Sequence, residues 1–258
     1  MKIAVSVSVG SKPLEPQVRA IQNVLATMKC EYVVILCSHT RLDPDGSKMV
    51  LETAAKIPGV STALADSGTF SRAYLAGWEK GLELDCDYVI SMDADGSHDP
   101  QDLVRFIKAL NQKRDVVCSS RFMDGAENKY PFQRVLLSKS VTFLANIFLV
   151  SKDNRLTDFA SGYEALSNKA VKDMLSLCPA DEWVSVKIGP YHLQNTILRW
   201  LLIEAGHSIY EIPIKYGVHR KGKVLGIDYV LRALWGFIVL LIQRGKMRTK
   251  KRILKKEI

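Results

Sequence analysis

The sequence predicts an α/β protein: a mostly parallel sheet flanked by helices. Three observations carry that expectation. Short apolar runs alternate with segments of helical periodicity, the pattern of a parallel sheet covered on both faces. The apolar fraction of 47% and charged fraction of 24% are those of an ordinary globular protein. No repeat of 20–50 residues and no low-complexity tract interrupts the 258 residues, a length that suits one large domain or two small ones.

In order, the predicted strands of the first half are 2–8 (KIAVSVS), 32–37 (YVVILC), 60–65 (VSTALA), 87–92 (DYVISM) and 115–119 (DVVCS). Helices are predicted between them at 14–29, 46–57, 69–84 and 100–112. The last has a clear start signal, Asp99 as N-cap and Pro100 at the first helical position. The second half predicts a long helix over 131–150, a strand in FASGYEAL, helices near 167–177 and 191–205, and a strand in IYEIPIKY. Residues 225–242, LGIDYVLRALWGFIVLLI, are broken by Asp228 and Arg232. About ten unbroken apolar residues remain, short of the ~20 that a membrane span needs. The segment predicts an amphipathic or interfacial helix, with a helix docked on the core as the alternative.

The N-terminus lacks the apolar stretch of a signal peptide. Five scattered cysteines without a CxxC pair point to neither a disulfide framework nor a zinc site, and so to a reduced, cytoplasmic compartment. Charge is uneven. Residues 244–258 carry eight Lys and Arg against one Glu, +7 of the chain's +9. The nearly neutral body is no nucleic-acid binder, whereas the tail suits polyanions, either anionic lipid headgroups or nucleic acid. No GxxxxGK[ST] occurs, which disfavours a P-loop NTPase.

The chemistry concentrates at SMDADGSHDP, residues 91–100. Asp93 and Asp95 end an apolar strand one residue apart. Like charges so placed repel, and burying them unpaired is costly. Residues i and i+2 of a strand face the same way, so both carboxylates can converge on one hard cation at the carboxyl end of a strand, where open α/β sheets place ligands. Mg²⁺ or Mn²⁺ bridging to a diphosphate fits; the alternative is an Asp-Gly turn that merely ends the strand.

SMDADGSHDP resembles the DxD segment of family 2 glycosyltransferases, and above all the dolichyl-phosphate (polyprenyl-phosphate) mannosyltransferase group, whose version reads like MDADLSHHP. The resemblance continues in order. VVCSSRFMDG resembles DIVSGTRY, and QRVLLSKSVTFLANIFL resembles KRKIISRGANLLARILL. RLTDFASGYEALS resembles D-x-T-S-G-F-R-A-Y, and IYEIPIKYGVHRKGK resembles I-x-E-V-P-I-x-F-x-x-R-x-x-G-x-S. The similarity covers about residues 66–223. It implies a GT-A (Rossmann-like) fold over residues 1–224; the amphipathic helix and basic tail of 225–258 lie beyond the match and are expected to associate with a membrane. It also implies a nucleotide-sugar donor, GDP-mannose or a UDP-sugar, held through the metal at Asp93 and Asp95. Arg121 matches an arginine near the phosphates, Arg134 and Ser138 match positions on the acceptor-side helix, and Arg220 matches a late arginine that closes over the site. Independently, Arg134 and Ser138 are i and i+4 on one helix face, and both can donate to a phosphate oxygen. A core helix with a polar edge is the alternative there, and a solvated turn at Arg220.

The chain departs from the group in places. SVSVGSKPLEP stands where the family opens with P-T-Y-N-E, and CSHTRLDPDGS where D-D-G-S reads the nucleotide base. Asp43 or Asp45 are the candidates for that role. DEWVSVKIGPYHLQNTI replaces a shorter F-Q-M-E-M segment, with Glu182, His192 and Gln194 as candidate polar contacts. His219 is a candidate assistant to Arg220, and Asp158, Asp181 and Glu182 are the candidate bases. An anionic lipid phosphate needs no strong base, whereas a sugar hydroxyl does. The expected function is transfer from a nucleotide sugar to polyprenyl phosphate, by a protein peripheral on the inner face of a membrane. The alternatives are extension of a cell-surface glycan, and a non-catalytic basic membrane- or nucleic-acid-binding protein on the same fold.

Overall fold

The computed structural model describes residues 1–9, 13–68, 70–178, 193–217, 231, 234–242 and 244–245. The first half follows the expected alternation: β1 (Lys2–Ser8), α1 (Glu15–Ala26), β2 (Glu31–His39), α2 (Pro44–Lys56), β3 (Val60–Ala65), α3 (Phe70–Glu83) and β4 (Tyr88–Asp93). A 3₁₀ turn (Pro100–Asp102) leads into α4 (Leu103–Leu110) and β5 (Val116–Ser120). Then come β6 (Glu127–Asn128), α5 (Phe132–Phe148), β7 (Glu164–Ser167), α6 (Asn168–Leu177), α7 (Gln194–Glu204), β8 (Ile209–Pro213) and β9 (Lys215–Tyr216).

Seven strands form one sheet in the order β3-β2-β1-β4-β7-β5-β8. All neighbours are parallel except β7, which runs antiparallel to both β4 and β5. Each face carries a core. Val18, Ile21, Phe106 and Tyr163 pack with Ile3, Val5 and Val7 on one side; Trp78, Phe159, Met174 and Trp200 pack with Ala4 on the other. The helix starts follow the sequence signals. The Asp99 side chain accepts from the Gln101 N–H at 2.9 Å. Asp43 caps α2 by accepting from the Gly46 N–H at 3.0 Å. A Cβ at residue 46 would lie 2.1 Å from Asp43 Oδ2, so a side chain there would force the capping carboxylate to shift.

Three expectations are corrected in extent. The helix expected at 100–112 begins with the 3₁₀ turn and ends at Leu110. The strand expected over FASGYEAL starts only at Glu164, because Asp158 to Ser161 are held by side-chain hydrogen bonds instead of a ladder. IYEIPIKY divides after Pro213: β8 continues the main sheet beside β5, while β9 pairs with β6 in a separate two-stranded ribbon. Of the predicted 225–242 segment, residues 231 and 234–242 are described and helical. Among the described residues no helix is long and apolar enough to cross a membrane. Cys30, Cys37, Cys86 and Cys118 form no disulfide.

Candidate active site

Asp93 is the last residue of β4, and Gly96, at φ +79°, turns the chain after Asp95. Each carboxylate is engaged by the protein through its Oδ1. The Tyr74 O–H donates to Asp93 Oδ1. Asp95 Oδ1 accepts from the Ser97 N–H at 2.9 Å and from its O–H at 2.5 Å. The Asp93 N–H donates to His98 Nδ1 at 2.9 Å, which leaves the His98 proton on Nε2. His98 is buried, stacked on Tyr163 at 4.8 Å between ring centroids, and burial lowers its pKa so that it stays neutral. Burial raises the Asp93 pKa, with Asp95 adding to the rise and His98 and Tyr74 opposing it.

A second centre lies across the carboxyl end of the sheet. Arg121, just past β5, donates from Nε and Nη2 to the two oxygens of Asp158 at 2.7 and 2.9 Å, and the Arg121 N–H adds a third bond at 3.1 Å. Asp158 is fully buried and Arg121 nearly so. Burial alone would raise the Asp158 pKa, but Arg121 holds it below the usual carboxylate range. A carboxylate so paired is suited to fixing Arg121 rather than to taking a proton. The Arg121 guanidinium lies 5.9 Å from the Tyr130 ring and 5.4 Å from the Tyr216 ring, and Arg134 lies 5.2 Å from Tyr130. The two phenols share a hydrogen bond of 2.7 Å, and Lys139 sits 5.4 Å from Phe122. Three cations thus gather around three aromatic rings.

The match to a family model decides what this arrangement belongs to: residues 43–174 fit the model described as glycosyl transferase family 2. This chain is a family 2 glycosyltransferase. It is 34% identical to the undecaprenyl-phosphate mannosyltransferase of Micrococcus luteus over 75% of its own length and 78% of that protein's. It is 31% identical to the polyprenol monophosphomannose synthase of Mycolicibacterium smegmatis over 58% of its length, and 26% identical to the dolichol-phosphate mannosyltransferase of Pyrococcus furiosus over 81%. It spans about half the length of those last two relatives, 53% and 54%. Among solved structures, a mycobacterial protein matches with a TM-score of 0.60 at 15% identity, over 95% of this chain and 75% of that one. The mannosyl-3-phosphoglycerate synthase of Rubrobacter xylanophilus matches with a TM-score of 0.58 at 9% identity, over 97% and 75%. These likenesses show the GT-A fold.

The donor set of this glycosyltransferase fits a hard cation shared with a ligand. No group of three or more His, Cys, Asp or Glu side chains that could hold a metal occurs among the described residues. Two strand-end carboxylates leave most of the shell to water and phosphate oxygens, the way Mg²⁺ is ordinarily held. The structure places the other predicted residues as follows. Arg134 and Ser138 both lie on α5, and Arg134 joins the aromatic cluster. Asp43 is committed to its helix cap, and Asp45 is exposed in the first turn of α2. Gln194 is buried, and its Oε1 accepts from the Ser71 O–H at 2.8 Å, so it joins α7 to α3. Asp181, Glu182, His192, His219 and Arg220 lie outside the described residues.

Tyr74, His98, Tyr130 and Tyr216 escaped sequence reasoning. Tyr74 and Tyr216 meet their partners across long stretches of chain. His98 had a local signal, its place five residues after Asp93. Glu164 is also unexpected. It stands where the pattern D-x-T-S-G-F-R-A-Y has arginine, it is fully buried, and neither oxygen has a hydrogen-bond partner. Burial pushes its pKa up to about 7, against the pull of the buried Arg199 on α7.

Proposed function

We propose that this glycosyltransferase moves a sugar from a nucleotide-sugar donor, GDP-mannose or a UDP-sugar, to polyprenyl phosphate, with Mg²⁺ or Mn²⁺ at Asp93 and Asp95. The observation that carries the reading is the pairing of an acidic strand end with a basic aromatic cluster. The acidic end suits a cation-bound diphosphate, and the basic cluster suits a second, anionic reactant. When bound, the cation neutralises charge that builds on the departing diphosphate. Arg134 and Ser138, on one face of α5, orient the acceptor phosphate, and Arg121 is held rigid by Asp158. An acceptor oxygen that is already anionic needs no strong base, in keeping with the role of Asp158 as a partner for arginine. The relatives named as polyprenyl-, undecaprenyl- and dolichyl-phosphate enzymes support the same acceptor.

The acceptor's lipid places the reaction at a membrane. Phe132, Leu136, Phe143 and Ile147 are exposed along α5 at helical spacing, as are Leu231, Leu234, Trp235, Ile238 and Ile242 near the C-terminus. The two helical stretches adjoin through Phe148 and Phe237 and through a hydrogen bond from Arg244 to the Phe148 carbonyl. With the basic tail, they support a peripheral position on the inner face of a membrane, with 1–224 as the catalytic part and 225–258 as the attachment. The test offers polyprenyl phosphate in anionic vesicles together with a free oligosaccharide, and follows products by mass spectrometry. Sugar is expected on the polyprenyl phosphate. Arg134→Ala is expected to slow that transfer roughly ten- to a hundredfold, the equivalent of one charge-assisted hydrogen bond, with donor binding unchanged. Sugar on the oligosaccharide alone would replace this reading with glycan extension.

A further inference from the structure

Helix α3 sits unusually deep on the sheet. A Cβ at Gly77 would lie 2.1 Å from Ser6 Oγ and 2.5 Å from Cys37 Sγ, and one at Gly81 would lie 2.5 Å from Val89 Cγ2. Both positions therefore demand glycine. Trp78, between them, donates from Nε1 to Ser91 Oγ at 2.6 Å, two residues before Asp93 on β4. Tyr74 is three residues before Gly77 and seven before Gly81, on the same helix face. Held at this depth, its phenol reaches the carboxyl end of β4 and donates to Asp93 Oδ1.

We propose that Tyr74 is a positioning residue that makes Asp93 a one-oxygen ligand and thereby sets which divalent cation the site prefers. The proposal rests on the reading of Asp93 as a cation ligand. With one lone-pair site of Oδ1 taken by the phenol, Asp93 would offer a cation chiefly its Oδ2. Asp95 is constrained in parallel, since its Oδ1 already takes two bonds from Ser97. Single-oxygen carboxylates suit small cations with short bonds and octahedral shells, Mg²⁺ and Mn²⁺. Ca²⁺ is larger, takes six to eight oxygens and readily uses both oxygens of one carboxylate. The phenol would therefore disfavour Ca²⁺ by weakening the second oxygen as a ligand.

Tyr74→Phe removes the O–H and keeps the ring. Calorimetric titrations with MnCl₂ and with CaCl₂, without donor, are made on the full chain as wild type, Tyr74→Phe and Asp93→Asn, with thermal melts to confirm folding. Wild type is expected to bind Mn²⁺ more tightly than Ca²⁺. In Tyr74→Phe, Mn²⁺ binding is expected to weaken about tenfold, the usual effect of losing a partner of a metal ligand, while Ca²⁺ binding holds or tightens. An unchanged Mn²⁺/Ca²⁺ ratio in a folded Tyr74→Phe overturns the role of Tyr74, even if both affinities fall. Equal Mn²⁺ binding by wild type and Asp93→Asn is a different failure: it removes Asp93 as a ligand, and the proposal with it.

Discussion

The acidic and basic centres stand at the same end of one sheet and are built in opposite ways. The acidic centre comes from adjacent sequence, Asp93 to His98, steadied by one helix residue, Tyr74. The basic centre draws on Arg121, Tyr130, Arg134, Asp158 and Tyr216. They also differ in electrostatics. Burial works against the charge on Asp93, and its neighbour Asp95 makes that worse. In the basic centre the buried Arg121 is matched by Asp158, and the pair holds the loop before β7 to the end of β5. The acidic centre thus holds a charge that its surroundings disfavour, whereas the basic pair is part of the fold.

The largest effect should come from breaking the basic pair. Asp158→Ala leaves Arg121 buried without its carboxylate and should lower unfolding free energy by about 3–5 kcal/mol, read by urea denaturation. A loss under about 1 kcal/mol would place the pair in solvent-like surroundings and erase the contrast between the centres. Next in size is a pH effect between them. Folded Glu164 keeps its proton to about pH 7, against an ordinary value of 4.5. The stability this proton contributes is complete below about pH 4.5 and is lost as pH rises through 7. The shift corresponds to roughly 3 kcal/mol across that window. Glu164→Gln should flatten the fall in stability between pH 4.5 and 8; an unchanged slope would assign the titration elsewhere. The smallest effect has the opposite sign. Asp93→Asn should raise stability by ~1 kcal/mol at pH 7.5, since it removes a disfavoured charge, while donor binding in Mn²⁺ is lost. A melting temperature below wild type would show that Asp93 supports the fold.

What could be read beforehand follows the same division. The strand ending at the two carboxylates, the Asp99–Pro100 start and the order of the first five strands rest on neighbours in sequence, where apolar runs and caps leave direct traces. That Arg134 and Ser138 share one helix was visible because helical periodicity puts i and i+4 together. The antiparallel insertion of β7 left no trace, since a short apolar run does not state its direction. Nor did the Tyr130–Tyr216 contact, whose members are 86 residues apart. Asp158 was visible as a carboxylate and misjudged as a candidate base, because its guanidinium partner comes from another strand end.

The insertion of β7 also means that the order of synthesis and the order of the sheet disagree. β4 and β5 leave the ribosome first, yet they are never neighbours; the slot between them waits for residues 164–167, and the far edge of β5 waits for 209–213. Throughout that interval the nascent chain carries open strand edges, the surfaces most prone to pairing with other chains. Closure then depends on contacts between distant segments, which form slowly. The first half of the chain, regular as its alternation is, becomes a finished sheet only when the second half reaches into its middle.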